Sequence, residues 1–389
     1  MKNKIILLVL FSLIIFFAKN AIAENPAIKK GVWVTVFSEK KVLYSKEAAT
    51  NLIELCKKAK INEIYLQVYQ SGNAYYDSEI TDRFKYEDMV KSAGVDPVEF
   101  LLNAAHKNNI KVFAWVNLLS LGQNDKAGII NKFGRDVLTR DQYLRTSGTE
   151  GNNESDKYYH REGLLFLEPG DQRVVKYLIT IVEEIIDRYP LFDGVHLDYA
   201  RYPMTVPFIP GSRFTKYGLS YGYGPKNVER FKEWTTLDPL TGLKKNKDYA
   251  KWDDWRRQQV TSLVNRIAKS VKKKSPALLV SSAVIYAPER AYLSLFQDWS
   301  YWLEEGVLDY VVLMNYMLDN QLTKEMVRSS FCNRQQGKVF IGIGLYLMKD
   351  EPQVFFEQYR VIKGLFPDGI VFFSYDDITE EIADYLGKS

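Results

Sequence analysis

Short apolar runs recur along the chain, each followed by a stretch whose apolar residues fall three and four apart. The first pattern fits strands and the second fits amphipathic helices. Strands are expected at Gly31–Phe37, Glu63–Tyr69, Lys111–Leu118, Asp193–Ala200, Leu278–Ile285, Asp309–Tyr316, Val339–Tyr346 and Gly369–Tyr375. Ser45 should cap a helix that carries Ala48, Leu52, Cys56 and Ala59 on one face. Asp96-Pro97-Val98-Glu99 reads as a cap, a first-turn proline and a first-turn acid. Val174, Val175, Leu178, Ile179, Val182, Ile185 and Ile186 line a helix over Asp171–Arg188. Further helices are expected at Tyr249–Lys274, Ala291–Glu305 (stopped by Gly306), Thr323–Phe331 and Pro352–Lys363. Two long irregular stretches, Ser120–Glu162 and Tyr202–Asp248, interrupt the alternation. Strands alternating with helices argue for parallel βα units. Eight units predict a single α/β domain, a TIM-type (β/α)8 barrel with long loop insertions after strands 3 and 4. An open, doubly wound sheet is the competing arrangement.

The N-terminus has the layout of a secretory signal: Lys2 and Lys4, an apolar stretch from Ile5 to Ala18, then Ala21-Ile22-Ala23. The apolar stretch is short for a bilayer span. Cleavage near Ala23 is therefore expected, with residues 24–389 forming the barrel domain and the chain exported, periplasmic or secreted. No membrane insertion is expected after cleavage. Removal of Lys2, Lys4 and Lys19 lowers the formal charge from +4 to +1. A nearly neutral chain without a basic face gives no reason to expect a nucleic-acid partner. The run Lys272-Lys273-Lys274 falls at a helix C-terminus, where cations suit the dipole. Two cysteines, Cys56 and Cys332, do not make a disulfide framework. The three histidines, His106, His160 and His196, have no metal-ligand spacing, so no metal site is expected.

In a TIM barrel the chemistry sits at the C-terminal strand ends. The fourth strand is the most telling: Asp193-Gly194-Val195-His196-Leu197-Asp198-Tyr199-Ala200-Arg201-Tyr202-Pro203. Alternation turns Val195, Leu197 and Tyr199 toward the helices and His196 and Asp198 into the barrel. A buried His and Asp must be paired or used; a pair that only fills the barrel top stays an open alternative. Arg201 follows on the same rim and could hold Asp198 ionised or clamp a substrate. Tyr202 follows it in the same block, and Gln67, Tyr69, Trp115, Asn117, Asn315, Tyr316 and Tyr346 stand at other strand ends. Amides, phenols and an indole suit sugar hydroxyls and ring faces. Asp198 is the leading catalytic carboxyl, and glycoside hydrolysis usually needs a second. Glu289, Asp376, Asp377 and Glu168 are the candidates. Substrate assistance by an N-acetyl group is another route.

The segments Gly31-Val32-Trp33-Val34, Gln67-Val68-Tyr69, Ala114-Trp115-Val116-Asn117 and Glu168-Pro169-Gly170, the fourth-strand block, Trp255-Arg256-Arg257, Asp298-Trp299 and Asp309-Tyr310-Val311-Val312 resemble the bacterial glycosyl-hydrolase-like 10 family. The resemblance covers most of the chain after residue 23. It implies a TIM-barrel glycosidase fold and cleavage of an envelope or extracellular glycan, peptidoglycan strands among them, without a cofactor. Two rivals stand beside that expectation: a glycan-binding barrel without catalysis, and a deacetylase or amidase.

Overall fold

The computed structural model describes residues 28–148, 160–206, 219–334 and 337–389. The expected signal segment lies outside these residues. Eight parallel strands form the centre: β1 (Lys29–Val34), β2 (Glu63–Gln70), β3 (Lys111–Asn117), β4 (Gly194–Asp198), β5 (Leu279–Ile285), β6 (Tyr310–Asn315), β7 (Lys338–Gly344) and β8 (Gly369–Phe373). Each pairs with the next in sequence, and β1 pairs with both β2 and β8, so the sheet closes on itself. The fold is a TIM-type barrel. The open sheet is ruled out by the β1–β8 ladder, in which Lys29 stands beside Gly369 and Val32 beside Phe372.

Caps appear where the sequence asks for them. The Ser45 hydroxyl accepts from the Ala48 N–H and starts the helix Lys46–Ala59. Asp96 accepts from the N–H groups of Val98 and Glu99 at Pro97–His106, and Asp171 from Arg173 at Gln172–Arg188. The outward strand residues, such as Val195 and Leu197, join these helices in the main apolar core. Cys56 is buried in that core as a free thiol, and Cys332 is exposed and also free. The expected helix Ala291–Glu305 is instead two short ones, Pro288–Ser294 and Trp299–Glu304. Phe296 between them takes a left-handed φ of 54°. That turn delivers the Gln297 side chain to the N–H of Ile285 (2.8 Å) and the carbonyl of Ala200 (3.3 Å), satisfying buried backbone groups near the ends of β4 and β5. No helix among the described residues is long and apolar enough to cross a membrane.

The barrel interior is aromatic. Trp33, Tyr65, Phe113, Trp115, Tyr310, Phe340 and Val371 form one buried cluster inside the strands. Glycines make room for it. A Cβ on Gly342 would lie 2.8 Å from the Trp33 ring, and one on Gly31 2.7 Å from Tyr65. At Gly194 a Cβ would meet the Leu279 carbonyl at 2.1 Å, so β4 and β5 approach at a point only glycine fits.

The segments after β3 and β4 carry elements of their own. The first includes the helix Gly128–Phe133 and ends in the two-residue strand Leu165–Phe166, which pairs with Ser120–Gly122. The second contains the helix Pro225–Thr235. Tyr223, Val228, Phe231, Leu243, Trp252 and Trp255 make a small separate core there against the long helix Asn246–Lys274.

Candidate active site

The C-terminal strand ends open into a cleft of about 280 Å³. Its wall comes from β1 and its loop (Trp33, Thr35, Phe37), β2 (Gln67, Gln70), β3 (Trp115, Asn117), β4 and its loop (Asp198, Tyr199, Arg201), β5 (Ala283), β6 (Met314, Tyr316) and β8 (Phe373). Among the described lining residues Asp198 is the one carboxyl and Arg201 the one cation.

Asp198 closes β4 and is 7% exposed. The indole Nε1–H of Trp115 donates to its Oδ2 (3.1 Å), and the N–H of Tyr199 donates to its Oδ1 (2.7 Å). These two donors, one from the neighbouring strand and one from its own turn, fix the plane of the carboxyl group. Burial pushes its pKa up to about 6, against the pull of both donors and of the Arg201 charge. Such a group passes between acid and base near neutrality, as proton-transfer catalysis requires.

His196 shares the inner face with Asp198 but is one layer down and fully buried, and it does not line the cleft. It forms no pair with Asp198. Its Nε2 accepts from the Trp33 Nε1–H (3.1 Å), which puts the ring proton on Nδ1, facing the Ser281 hydroxyl at 2.8 Å. Desolvation drops its pKa to about 3, so it is a neutral core histidine and not a contact for substrate. His106 is far from this point, at the other end of the fold, on the Asp193 carboxylate (3.0 Å).

The other candidates divide. Gln67 and Asn117 meet in the cleft, the Gln67 amide N–H donating to Asn117 Oδ1 at 3.2 Å. Trp115, Arg201 and Tyr316 line it as well. Tyr316 stacks on Phe373 (ring centroids 5.5 Å apart), and Tyr346, 45% exposed, meets both edge-on at the rim. Tyr69 does not reach the cleft. A bulge between Gln67 and Tyr69 breaks the alternation, so Tyr69 is buried in the outer core and Gln70 takes the inward position. Asn315 also points away from the cleft: its amide N–H donates to Thr323 in the helix Asn320–Cys332 (3.3 Å), and Met314 and Tyr316 hold the inner face. Tyr202 is buried, its hydroxyl donating to Glu168 at 2.6 Å.

None of the expected second carboxyls lines the cleft. Glu289 is exposed in the first turn of its helix. Asp376 is held by the Ser38 hydroxyl (2.6 Å) and the Glu39 N–H (3.2 Å), and Asp377 by the N–H and hydroxyl of Ser374. Glu168 is fully buried and accepts four hydrogen bonds, from Thr139, Tyr202 and the N–H groups of Gly170 and Gly224, which ties the two insertions together. Desolvation nevertheless raises its pKa.

Sequence reasoning overlooked Phe37, Tyr199 and Glu162. Phe37 is 67% exposed on the cleft wall. Tyr199 takes a left-handed φ of 51°, which swings it from the outer face into the cleft. Glu162 belongs to the first insertion and pairs with Arg201 at 2.6 and 3.0 Å. The presence of Arg201 was the one clue that an acid must come to meet it. No group of three or more His, Cys, Asp or Glu among the described residues is arranged to hold a metal ion.

The family described as Glycosyl hydrolase-like 10 has a model that matches residues 29–354. The chain is 24% identical over 381 residues to the Glycosyl hydrolase DigH of Escherichia coli (strain K12), covering 88% of this chain and 76% of that protein. It is 25% identical over 319 residues to the Glycosyl hydrolase YngK of Bacillus subtilis (strain 168), covering 76% of this chain and 55% of that one. Among solved structures it matches the catalytic domain of a β-amylase from Paenibacillus polymyxa at a TM-score of 0.56 and 10% identity, covering 93% and 95% of the two chains. It matches α-L-fucosidase isoenzyme 2 from Paenibacillus thiaminolyticus at 0.56 and 13% identity, covering 93% of this chain and about half, 48%, of the fucosidase. Likeness at such low identity speaks for the fold.

Proposed function

The chain belongs to the glycosyl hydrolase-like 10 family, and on that premise we propose that it hydrolyses glycosidic bonds in a bacterial envelope or extracellular polysaccharide, with Asp198 as the proton-transferring group. The observation that carries the reading is the Asp198 carboxyl itself. It sits at the end of β4, opens onto a cleft walled by aromatic rings, and is held by Trp115 and Tyr199 with its pKa raised to about 6. A carboxyl protonated near neutrality can give its proton to the glycosidic oxygen as the bond to the anomeric carbon breaks. Tyr316, Phe373, Phe37 and Tyr346 supply faces on which pyranose rings stack, and the Gln67–Asn117 pair and Arg201 supply groups for hydroxyls. The anomeric carbon is taken by a water that a second carboxylate activates, or first by that carboxylate or, with N-acetylated sugars, by the acetamide of the substrate, water then releasing the sugar.

Peptidoglycan glycan strands are the first substrate to try, in keeping with export through the N-terminal signal. The test is product release from purified strands, with and without stem peptides, followed by reducing-end assay and mass spectrometry. Shortened strands with wild type and none with Asp198→Asn support hydrolysis. Strands that bind but stay intact support a glycan-binding barrel instead.

A further inference from the structure

Arg201 stands beside Asp198 and would be expected to hold it as an anion, since a cation within a few ångströms typically lowers a carboxyl pKa by about one to three units. The structure turns that cation elsewhere. Its Nη2 donates to Glu162 Oε1 (2.6 Å) and its Nη1 to Glu162 Oε2 (3.0 Å), with a further bond from Nη1 to the Tyr202 carbonyl (3.1 Å). The two oxygens of Asp198 are taken by Trp115 and the Tyr199 N–H, not by the guanidinium. Glu162 is itself pinned by the Met204 N–H at 2.8 Å. Arg201 has little freedom to swing back: its guanidinium lies over the rings of Tyr199 (4.9 Å) and Phe166 (5.6 Å), and its side chain is 6% exposed.

We propose that Glu162 is a positioning residue for Asp198: by engaging both terminal nitrogens of Arg201 it offsets the one cation among the described residues of the cleft wall and leaves Asp198 able to hold a proton for the reaction. The inference rests on the reading of Asp198 as the reacting group. The surroundings favour this assignment. β2 presents Gln67 and Gln70 to the cleft, β3 Trp115 and Asn117, β5 Ala283, β6 Met314 and Tyr316, and β8 Phe373. Burial and the neighbouring Asp198 charge keep Tyr316 protonated, and Tyr199 is likewise pushed up, to about 12, chiefly by burial. His196 beneath is neutral. Among the described residues, the charges that act on Asp198 are Arg201, which favours its anion, and Glu162, which opposes it. Arg290, in the helix after β5, is a second cation felt by Glu162, which stays ionised.

The test uses the full chain with ¹³C-labelled aspartate side chains, the Asp198 signal being assigned by its loss in Asp198→Asn. Titration in wild type, Glu162→Gln, Glu162→Asp and Arg201→Gln reads the coupling with no glycan present. Glu162→Gln removes the anion that offsets the guanidinium, so the Asp198 titration should move down by about one unit, a tenfold smaller protonated fraction above it. Glu162→Asp keeps the charge and should stay closer to wild type than Glu162→Gln does. Arg201→Gln removes the cation and leaves Glu162, so the titration should move up. An Asp198 titration that is unmoved in folded Glu162→Gln, or in Arg201→Gln should the first variant not fold, overturns the proposal. The alkaline limb of glycan cleavage should follow the titration in the same direction. Loss of cleavage in every variant and in wild type would instead refute the catalytic reading, and the NMR shift would still report on the charge coupling.

Discussion

Asp198→Asn should make the protein more stable at neutral pH. Burial raises the carboxyl from 3.8 to about 6, so the folded chain binds this proton more tightly than the unfolded chain. The contribution of the group is therefore fully present below about pH 4 and is lost as the pH rises through about 6. A shift of about two units, at roughly 1.4 kcal/mol each, makes the ionised carboxylate cost about 3 kcal/mol above that range. Asparagine has no charge to bury. It offers one oxygen where Asp198 offered two, so either the Trp115 indole or the Tyr199 N–H loses its acceptor, at about 1 kcal/mol. The variant should thus be less stable than wild type by about 1 kcal/mol near pH 4 and more stable by about 2 kcal/mol near pH 8. Thermal melts of both proteins in steps across that range read the difference as a swing of roughly 4 °C in Tm. His196, depressed to about 3, loses stability as the pH falls below its unfolded value, but it does so in both proteins and drops out of the difference. A gap in Tm that stays constant with pH would refute the claim that Asp198 carries a buried, raised carboxyl.

Three further outcomes follow from the same geometry. His196 should stay neutral, with its proton on Nδ1, down to about pH 4; ¹⁵N chemical shifts read the tautomer, and a ring that titrates near 6.5 would contradict its bond from Trp33. Glu168→Ala strands four donors between the two insertions and should lower stability by about 3 kcal/mol or more, measured by denaturant unfolding; a change under about 1 kcal/mol would show that the knot is dispensable. Tyr316→Ala removes a face that stacks on Phe373 and should raise KM about tenfold or more with a smaller effect on kcat, whereas a pure kcat loss would place Tyr316 in the chemistry instead of in ring binding.

Much of the fold is written locally. Caps such as Ser45, Asp96 and Asp171 and the alternation of buried runs mark where elements start and turn, and eight βα units leave few topologies open. The site is less readable because it depends on departures from regular geometry. The bulge after Gln67 turns Tyr69 outward, and a left-handed φ at Tyr199 turns that ring inward; neither has a signature in the surrounding residues. Asn315 attracted attention by its chemistry, although strict alternation from Tyr310 and Val312 already put Met314 on the inner face. The Glu162–Arg201 pair spans two insertions, and such long-range pairing follows no period along the chain. The break at Phe296 has the same character: it serves backbone groups near the ends of two strands, one distant in sequence from Gln297 and the other separated from it by the helix Pro288–Ser294.

The role proposed for Asp198 is proton transfer in glycosidic cleavage. The most direct measurement is the release of new reducing ends from purified peptidoglycan glycan strands by wild type and Asp198→Asn, both confirmed folded by thermal melt. Steady release by wild type, an alkaline limb near pH 6, and loss of activity by roughly a hundredfold or more in the variant are expected. Equal release by the two proteins would contradict it.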